Sequence, residues 1–300
     1  MRIDQNELLR EWKYLGLVQA LTEYLPVSSS AHIRIIGDLM LGSDPGAAFT
    51  AIIQIGTELA VILYFRRDII RILGAWFGSL FGKEGKDFKS RMGAHNPDTQ
   101  MGWFIILGTM PILIAGLLFK HAIEGSLRNL WITVTVLMLF GVLLWVVDAR
   151  SKQVKTMKEM TWKDALIFGI GQMLALIPGV SRSGGTITFG RAMGYTREAA
   201  VRVSFLMAIP AVFGAGILEA ISAVKDVAAG DAGMFPGWGP TIAAAIVAFV
   251  VGYVVIIGFL KFVSTFSYKA FAIYRIGLAV VVALLLITGV LSPLEAVAAA

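Results

Sequence analysis

Six apolar runs of about 20 residues dominate this sequence and restrict what it can fold into. A helix of that length crosses a hydrocarbon core about 30 Å thick, and it satisfies its own backbone hydrogen bonds there. We therefore predict an all-α polytopic membrane protein. Its six transmembrane helices are expected at residues 47–65, 101–119, 130–147, 203–221, 241–262 and 271–291.

Composition supports this class and excludes others. Hydrophobic residues make up 57% of the chain and charged residues 15%, which is outside the range of soluble globular domains. Cysteine is absent, which excludes disulfides, thiolate catalysis and zinc–thiolate sites. The net charge of +6 comes from basic residues in the loops between the apolar runs. This pattern indicates anionic lipid headgroups, and no nucleic acid, as the partner of these loops.

The same loops predict an orientation. The strongly basic loops follow the first and third spans and should be cytoplasmic, which places both termini outside. The loop near Asp231 should also be outside. Residues 69–81 alternate apolar and polar faces and are expected to lie along the membrane interface. Arg191, Arg197 and Arg202 are expected at an interface as well, with their charges reaching water.

Two shorter apolar segments are each interrupted by a polar stretch. The first covers residues 12–41 and breaks at Pro26, and the second covers residues 165–194 and breaks at 178–185. Such interruptions are typical of re-entrant helix–loop–helix hairpins. Each hairpin precedes three spans, and three is odd, so the halves 1–148 and 160–300 should form an inverted-topology repeat with sites near the membrane midplane.

The first interruption lies in LGLVQALTEYLPVSSSAH, residues 15–32. Gln19 and Glu23 are four residues apart and share one helix face, where their oxygens suit a hard divalent cation, Mg²⁺ or Ca²⁺. A role without chemistry, as a helix cap or an ion pair with Arg182, remains open for Glu23.

Hydroxyl groups and a histidine follow the proline. Ser28, Ser29 and Ser30 stand where the next helix begins, and a helix N-terminus binds anions as well as capping residues. His32, one turn further on, is a candidate base, acid or nucleophile, or an ordinary hydrogen-bonded histidine.

The second interruption, GQMLALIPGVSRSGGT at residues 171–186, adds an arginine. Arg182 offers a fork of donors that matches phosphate oxygens, and the neighbouring Gly184 and Gly185 let backbone approach an anion closely. Neutralising Glu23 is the alternative role. Together the two stretches predict a phosphate or diphosphate pocket. Three further charged residues in or near spans are expected to pair structurally or to line the cavity: Glu58, Glu219 and Arg275.

Four segments of the chain resemble the bacterial undecaprenyl-diphosphate phosphatase family, also called bacitracin-resistance proteins. They are QALTEYLPVSSSAH, PGVSRSG, FTAIIQIGTELAVILYF and FAIYRIG, and the resemblance covers nearly the whole chain. It implies hydrolysis of undecaprenyl diphosphate to the monophosphate, which recycles the lipid carrier for cell-wall synthesis. It also implies dependence on a divalent metal, a bacterial plasma-membrane location and an active site that opens to the outer face.

The resemblance also implies roles for individual residues. The metal-binding motif falls on Gln19 and Glu23, and the essential serine, histidine and arginine fall on Ser29, His32 and Arg182. The residues around them are expected to bind the phosphate groups: Ser28, Ser30, Ser181, Ser183, Gly184 and Thr186. Two positions depart from the usual pattern, because Gln19 replaces a glutamate and Ala31 replaces a glycine.

Other function classes lead to different expectations. Inverted repeats with broken helices are typical of transporters, so a transporter or lipid flippase remains the alternative. A second membrane phosphatase family is built on an arginine and two histidines, and no histidine follows Arg182 in this chain. The sequence does not decide between a monomer and a homodimer, or name the nucleophile.

Overall fold

The computed structural model describes residues 5–42, 44–229 and 235–294. Within these ranges the chain forms α-helices, three short 3₁₀ turns and no β-sheet strand, which confirms the all-α prediction. The helices are α1 Gln5–Thr22, α2 Ser29–Leu41, α3 Ala47–Leu80, α4 Phe88–Arg91, α5 Pro97–Leu118, α6 Lys120–Glu124, α7 Leu130–Arg150, α8 Trp162–Met173, α9 Arg182–Ala192, α10 Arg197–Ala229, α11 Trp238–Thr265 and α12 Lys269–Ile287.

Six of these helices are long and apolar enough to cross a membrane, as the sequence predicted. They are α3, α5, α7, α10, α11 and α12. The expectation of a separate interfacial segment at residues 69–81 is wrong, because α3 continues to Leu80. No proline interrupts the backbone hydrogen bonds between Phe65 and Leu80, so the amphipathic stretch simply extends the transmembrane helix.

Two helix pairs carry the predicted interruptions. Residues 23–28 separate α1 from α2, and residues 177–181 follow a 3₁₀ turn and separate α8 from α9. α1 starts at Gln5, earlier than the apolar pattern suggested. The residues of this first part are compatible with a helix, since glutamate, glutamine, leucine and arginine all favour it.

Contacts between loops define the two ends of the helix bundle. At one end, which we call the basic end, Pro97, Lys158 and Arg202 line a common cavity. Pro97 ends the connection from α3 to α5 and Lys158 lies in the loop after α7, so these two connections meet there. At the opposite end Arg128 forms an ion pair with Asp44, and the Leu130 N–H donates to Pro293 O. The loop with Asp231 lies outside the described residues.

A buried ion cluster ties several helices together at the basic end. Asp148 of α7 accepts hydrogen bonds from Arg191 Nε of α9 at 2.8 Å and Arg197 Nε of α10 at 3.0 Å. It also accepts the Tyr268 N–H, at 3.1 Å, from the turn before α12. Arg191 is fully buried, so the expectation that its charge reaches water is wrong. Its charge is compensated by Asp148 and does not reach water.

Glycines allow the helices around the interruptions to approach closely. A Cβ on Gly185 of α9 would lie 2.2 Å from Gly171 O of α8, which is too close for any side chain. A Cβ on Gly56 of α3 would lie 2.2 Å from Ala245 O of α11. Small residues at such contacts are the usual means of close helix packing in membranes. They bring α8 against α9 and α3 against α11.

Candidate active site

The two interruptions have the same local structure. Ser28 and Ser181 both have positive φ, 74° and 69°, which is uncommon for residues other than glycine. Each is the N-cap of the following helix: Ser28 Oγ accepts the Ala31 N–H at 3.4 Å, and Ser181 Oγ accepts the Gly184 N–H at 3.1 Å. Each hydroxyl also lies 3.2 Å from a second serine hydroxyl, that of Ser30 or Ser183.

Glu23 lies where the two interruptions meet. Its Oε2 accepts hydrogen bonds from Gln19 Nε2 and Ser29 Oγ, both at 2.6 Å. Its Oε1 accepts from Arg182 Nη2 in an ion pair. Ser29 is the first residue of α2 and Arg182 is the first residue of α9. One buried carboxylate therefore connects the N-termini of two helices that are far apart in sequence.

Arg182 also contacts a second carboxylate. Its Nη2 lies 3.3 Å from Oε2 of Glu58, a fully buried residue of α3. Its Nη1 is buried and has no hydrogen-bond partner within the part of the chain that the structure describes. The pairing with Glu23 that the sequence left open is thus present, and a donor remains for a further anion.

Arg275 of α12 holds the two interruptions together through their backbone. Its Nη1 donates to Pro26 O at 3.1 Å and to Val180 O at 3.0 Å, and its Nη2 donates to Gly179 O at 2.7 Å. Arg275 is fully buried. The sequence suggested an ion pair or a cavity-lining role, and the observed role is to satisfy carbonyl groups at the two helix breaks.

His32 is held by hydrogen bonds at both ring nitrogens. Nδ1 lies 2.7 Å from Ser28 O and Nε2 lies 2.7 Å from the Tyr274 hydroxyl, whose ring stacks on the imidazole with a centroid separation of 5.6 Å. A carbonyl only accepts, so Nδ1 carries the hydrogen of the neutral ring and Nε2 carries the lone pair. The structure therefore brings His32 to Ser28 and Tyr274 and does not pair it with Glu23.

The remaining predicted phosphate-binding residues divide into two groups. The Ser183 hydroxyl donates to Leu25 O at 3.1 Å and so links α9 to the first interruption. The Thr186 hydroxyl donates to Arg182 O at 2.8 Å and lies 2.5 Å from Ser204 Oγ. Gly184 packs against Arg275, where a Cβ would lie 2.6 Å from Nη1. Thr186 and Gly184 thus support the backbone at Arg182.

A small cavity of about 30 Å³ lies beside the two interruptions. It is lined by Ser30, Arg34, Thr50, Arg128 and Pro178. Ser30 lies in the first turn of α2, Pro178 belongs to the second interruption, and Arg128 lies at the end of the bundle opposite the basic end. This cavity therefore lies between the candidate site and that opposite end.

The residues present fit a hard divalent cation. Among the residues that the structure describes, no three histidine, cysteine or acidic side chains are grouped as a ready-made metal site. However, Gln19 Oε1 is buried and has no partner in the described part of the chain, and it lies on the side chain that bonds Glu23. Mg²⁺ is typically held by one or two carboxylates, with water and substrate phosphate oxygens as the other ligands.

Sequence reasoning missed Tyr274, and it expected of Glu58 only that it would pair structurally or line the cavity; the ion pair with Arg182 is such a pair. Tyr274 lies in FAIYRIG and Glu58 in FTAIIQIGTELAVILYF, and both segments belong to the resemblance. The sequence signal for Glu58 was a carboxylate within a transmembrane run. Tyr274 gave no such signal, because a tyrosine in an apolar helix is common.

The family model for "Bacitracin resistance protein BacA" matches residues 13–281 of the chain. The matched region includes both interruptions and every residue of the site described above. The chain belongs to this family. The segment resemblance and the whole-chain match to the BacA family agree.

Similar proteins carry a common name. A protein named "Undecaprenyl-diphosphatase" from Bifidobacterium adolescentis is 92% identical over 287 residues, which is 96% of this chain and 98% of that protein. One of the same name from Bifidobacterium animalis subsp. lactis is 77% identical over 95% of this chain and 96% of its own. Another, from Pseudarthrobacter chlorophenolicus, is 54% identical over 93% of this chain and 97% of its own.

Proposed function

We propose that this protein is an undecaprenyl-diphosphatase. It hydrolyses undecaprenyl diphosphate to undecaprenyl phosphate and inorganic phosphate, recycles the lipid carrier for cell-wall synthesis and thereby confers resistance to bacitracin. The observation that carries the proposal is the arrangement at Arg182. A buried guanidinium, with one donor that has no partner among the described residues, lies among two helix N-termini, Ser29 and Glu23. The names of the similar proteins support the same substrate.

The mechanism uses charge and position. Arg182 Nη1 and the free N–H groups at the starts of α2 and α9 bind the phosphate oxygens, where the helix dipoles favour negative charge. Phosphoryl transfer passes through a loose transition state and needs mainly such positioning and charge stabilisation. The hydroxyls of Ser28, Ser30, Ser181 and Ser183 add hydrogen bonds around the diphosphate.

Two groups are arranged to begin the reaction at the terminal phosphorus. Ser29 Oγ donates to Glu23, which is the geometry of a nucleophile paired with its base. His32 offers the Nε2 lone pair once Tyr274 yields its hydrogen bond, either to attack or to activate water. Acid-labile phosphohistidine or acid-stable phosphoserine, trapped by rapid quench and identified by mass spectrometry, would distinguish the first two routes.

The cofactor is a divalent cation, Mg²⁺ or Ca²⁺. Glu23 and the amide oxygen of Gln19 hold it, since both offer the oxygen ligands that these ions prefer. When bound, the cation supplies positive charge that offsets the charge of the diphosphate and stabilises its increase in the transition state.

We propose that α1–α2 and α8–α9 are re-entrant hairpins of an inverted repeat, with halves 1–148 and 160–300. Two observations support this. The N-cap residues Ser28 and Ser181 both have positive φ, and each side chain accepts the N–H three residues further on. From the shared centre α2 leads toward Asp44, and α9 leads toward Asp148 at the opposite end of the bundle.

The protein lies in the bacterial plasma membrane with its basic end in the cytoplasm. The site opens to the outer face, which the small cavity on the Arg128 side supports. The prenyl chain lies among the membrane lipids and in the apolar groove between α3 and α11, at the height of Glu58. Monomer and homodimer are both compatible with this arrangement.

Arg182→Lys tests the proposal. Lysine keeps a positive charge near Glu23 and Glu58 but has one nitrogen in place of the two terminal nitrogens of arginine. We expect kcat for phosphate release from undecaprenyl diphosphate to fall at least about a hundredfold with little change in thermal stability. Arg67→Lys, an exposed arginine of α3, is the matched control and should retain activity. Near-wild-type turnover in Arg182→Lys would overturn the role of Arg182.

A further inference from the structure

Glu58 is a buried carboxylate for which the mechanism so far has no use. It lies in the middle of α3 and is fully buried. Its Oε2 lies 3.3 Å from Arg182 Nη2. Its Oε1 is also buried and has no hydrogen-bond partner among the described residues. An acceptor oxygen left unpaired in this way is costly inside a membrane protein, so its presence calls for an explanation.

The position of Glu58 relative to Glu23 is fixed by contacts on neighbouring residues. The Tyr24 hydroxyl donates to Thr57 O at 2.6 Å, which holds the end of α1 against the turn of α3 that carries Glu58. Both carboxylates bond the same nitrogen, Arg182 Nη2. Their nearest oxygens are therefore at most about 6 Å apart, twice a hydrogen-bond length.

The charges in this group do not balance. Glu23 and Glu58 face a single guanidinium, that of Arg182. The guanidinium of the nearby Arg275 donates its hydrogen bonds to backbone carbonyl groups. Ionised, the group therefore carries one negative charge in excess. A buried excess charge is strongly destabilising unless a further ion compensates it.

The amide oxygen of Gln19 leads to the same conclusion. Gln19 Oε1 is buried and has no donor in the part of the chain that the structure describes, while the amide nitrogen of Gln19 bonds Glu23 at 2.6 Å. The site thus combines an excess negative charge with two acceptor oxygens that lack donors. A hydrogen-bond donor from solvent would satisfy the oxygens but not the charge, whereas a cation satisfies both.

We propose that Glu58 is the second carboxylate ligand of the divalent-cation site, acting together with Glu23 and the Gln19 amide oxygen. This inference rests on the proposed cofactor and extends its ligand set to α3. Two carboxylates, water and substrate oxygens form the ligand set that Mg²⁺ prefers. Glu58 also links metal binding to a transmembrane helix outside the two interruptions.

Binding of Mn²⁺, used as a spectroscopic probe for the divalent site, tests the proposal without substrate. Full-length protein in detergent is titrated with Mn²⁺, and the free ion is measured by its electron paramagnetic resonance signal. We expect Glu58→Gln to weaken binding at least about tenfold, since it removes a charged ligand and keeps its size. Thermal unfolding without metal should show that Glu58→Gln is at least as stable as wild type, because the excess charge is gone.

Two further variants control this result. Glu198→Gln makes the same change at an exposed glutamate that pairs with Arg202 at the basic end, and it should leave the Mn²⁺ affinity unchanged. Gln19→Glu combined with Glu58→Gln moves the second carboxylate to α1 and keeps the total charge. This double variant should recover most of the lost affinity, and it provides the test if Glu58→Gln alone fails to fold.

The outcomes distinguish the proposed cofactor from the proposed role of Glu58. If wild-type protein binds no Mn²⁺, the proposed cofactor and the role of Glu58 are both wrong. If wild type binds Mn²⁺ and folded Glu58→Gln binds it equally well, the cofactor stands and the role of Glu58 is overturned. Glu58 would then be a protonated structural acid.

Discussion

The candidate reacting groups of this site are held by residues far away in sequence. His32 meets Tyr274 from the last transmembrane helix, and Glu23 meets Arg182 from the second interruption. Each partner fixes one property of the group that it contacts. Tyr274 and Ser28 O determine which imidazole nitrogen carries the lone pair, and Arg182 compensates the charge of Glu23.

Replacing Tyr274 with phenylalanine tests the support of His32. The change keeps the stacked ring and removes the hydroxyl that bonds Nε2. A single neutral hydrogen bond contributes about 1 kcal/mol, so we expect phosphate release to fall between about twofold and tenfold. The measurement is kcat and KM for undecaprenyl diphosphate. Tyr14→Phe, at an exposed position of α1, is the control.

The size of the Tyr274 effect distinguishes positioning from chemistry. A loss as severe as that expected for His32→Ala would contradict a positioning role and would place the Tyr274 hydroxyl among the groups that transfer a proton. Unchanged kinetics would show that the hydrogen bond in the structure has no part in turnover.

Sequence reasoning named the candidate reactive residues but not all of the partners that the structure gives them. The polar groups of the two interruptions stood out because they lie within apolar sequence. Pairing of Glu23 with Arg182 could be named as one alternative. The contacts of Tyr274, Arg275 and Glu58 could not be predicted, because they depend on how α12 and α3 pack against the interruptions.

At the scale of helices, the ion cluster at the basic end fixes the far end of α9. Asp148 joins α7 to α9, α10 and the turn before α12, while the near end of α9 begins at Arg182 in the site. A helix held at both ends keeps its N-terminus in place. The cluster therefore supports the geometry of the site from the other end of α9.

Asp148→Asn should destabilise the protein strongly. It leaves the fully buried guanidinium of Arg191 without a compensating charge, and breaking a buried ion pair costs about 3–5 kcal/mol. The measurement is thermal unfolding in detergent. Asp98→Asn breaks a more exposed pair with Arg71 and should cost no more than about 1 kcal/mol. Equal, small effects of the two changes would contradict a supporting role for the cluster.

Helix existence was predictable from the sequence, whereas helix ends were not. Apolar runs located all six long helices, but α3 and α10 extend well past the predicted spans. Hydropathy reports which residues suit lipid, and a helix can continue into water wherever no proline or cap ends it. The burial of Arg191 was missed for a related reason, since its partner Asp148 is 43 residues away in sequence.

For the whole molecule, the distribution of charge predicts how the protein lies in the membrane. The connection from α3 to α5 and the loop after α7 meet at the basic end, and the Asp44–Arg128 pair lies at the opposite end. The positive-inside rule then assigns the basic end to the cytoplasm. The outward opening of the proposed site follows from that assignment.

Labelling of single cysteines tests the orientation directly, because the chain has no cysteine of its own. Ser126 and Lys158 are exposed, near opposite ends of the bundle. We expect Ser126→Cys to react with a membrane-impermeant maleimide in intact cells and Lys158→Cys to react only after the membrane is permeabilised. The reverse pattern would show that the basic end faces outward and that the site opens to the cytoplasm.

The most direct test of the account is phosphate release from undecaprenyl diphosphate by the purified protein. It is measured with Mg²⁺, with Ca²⁺ and with chelator, beside a His32→Ala variant. We predict release that requires both a divalent cation and His32. A folded sample that releases no phosphate with either ion would contradict the phosphatase and favour a transporter or lipid flippase.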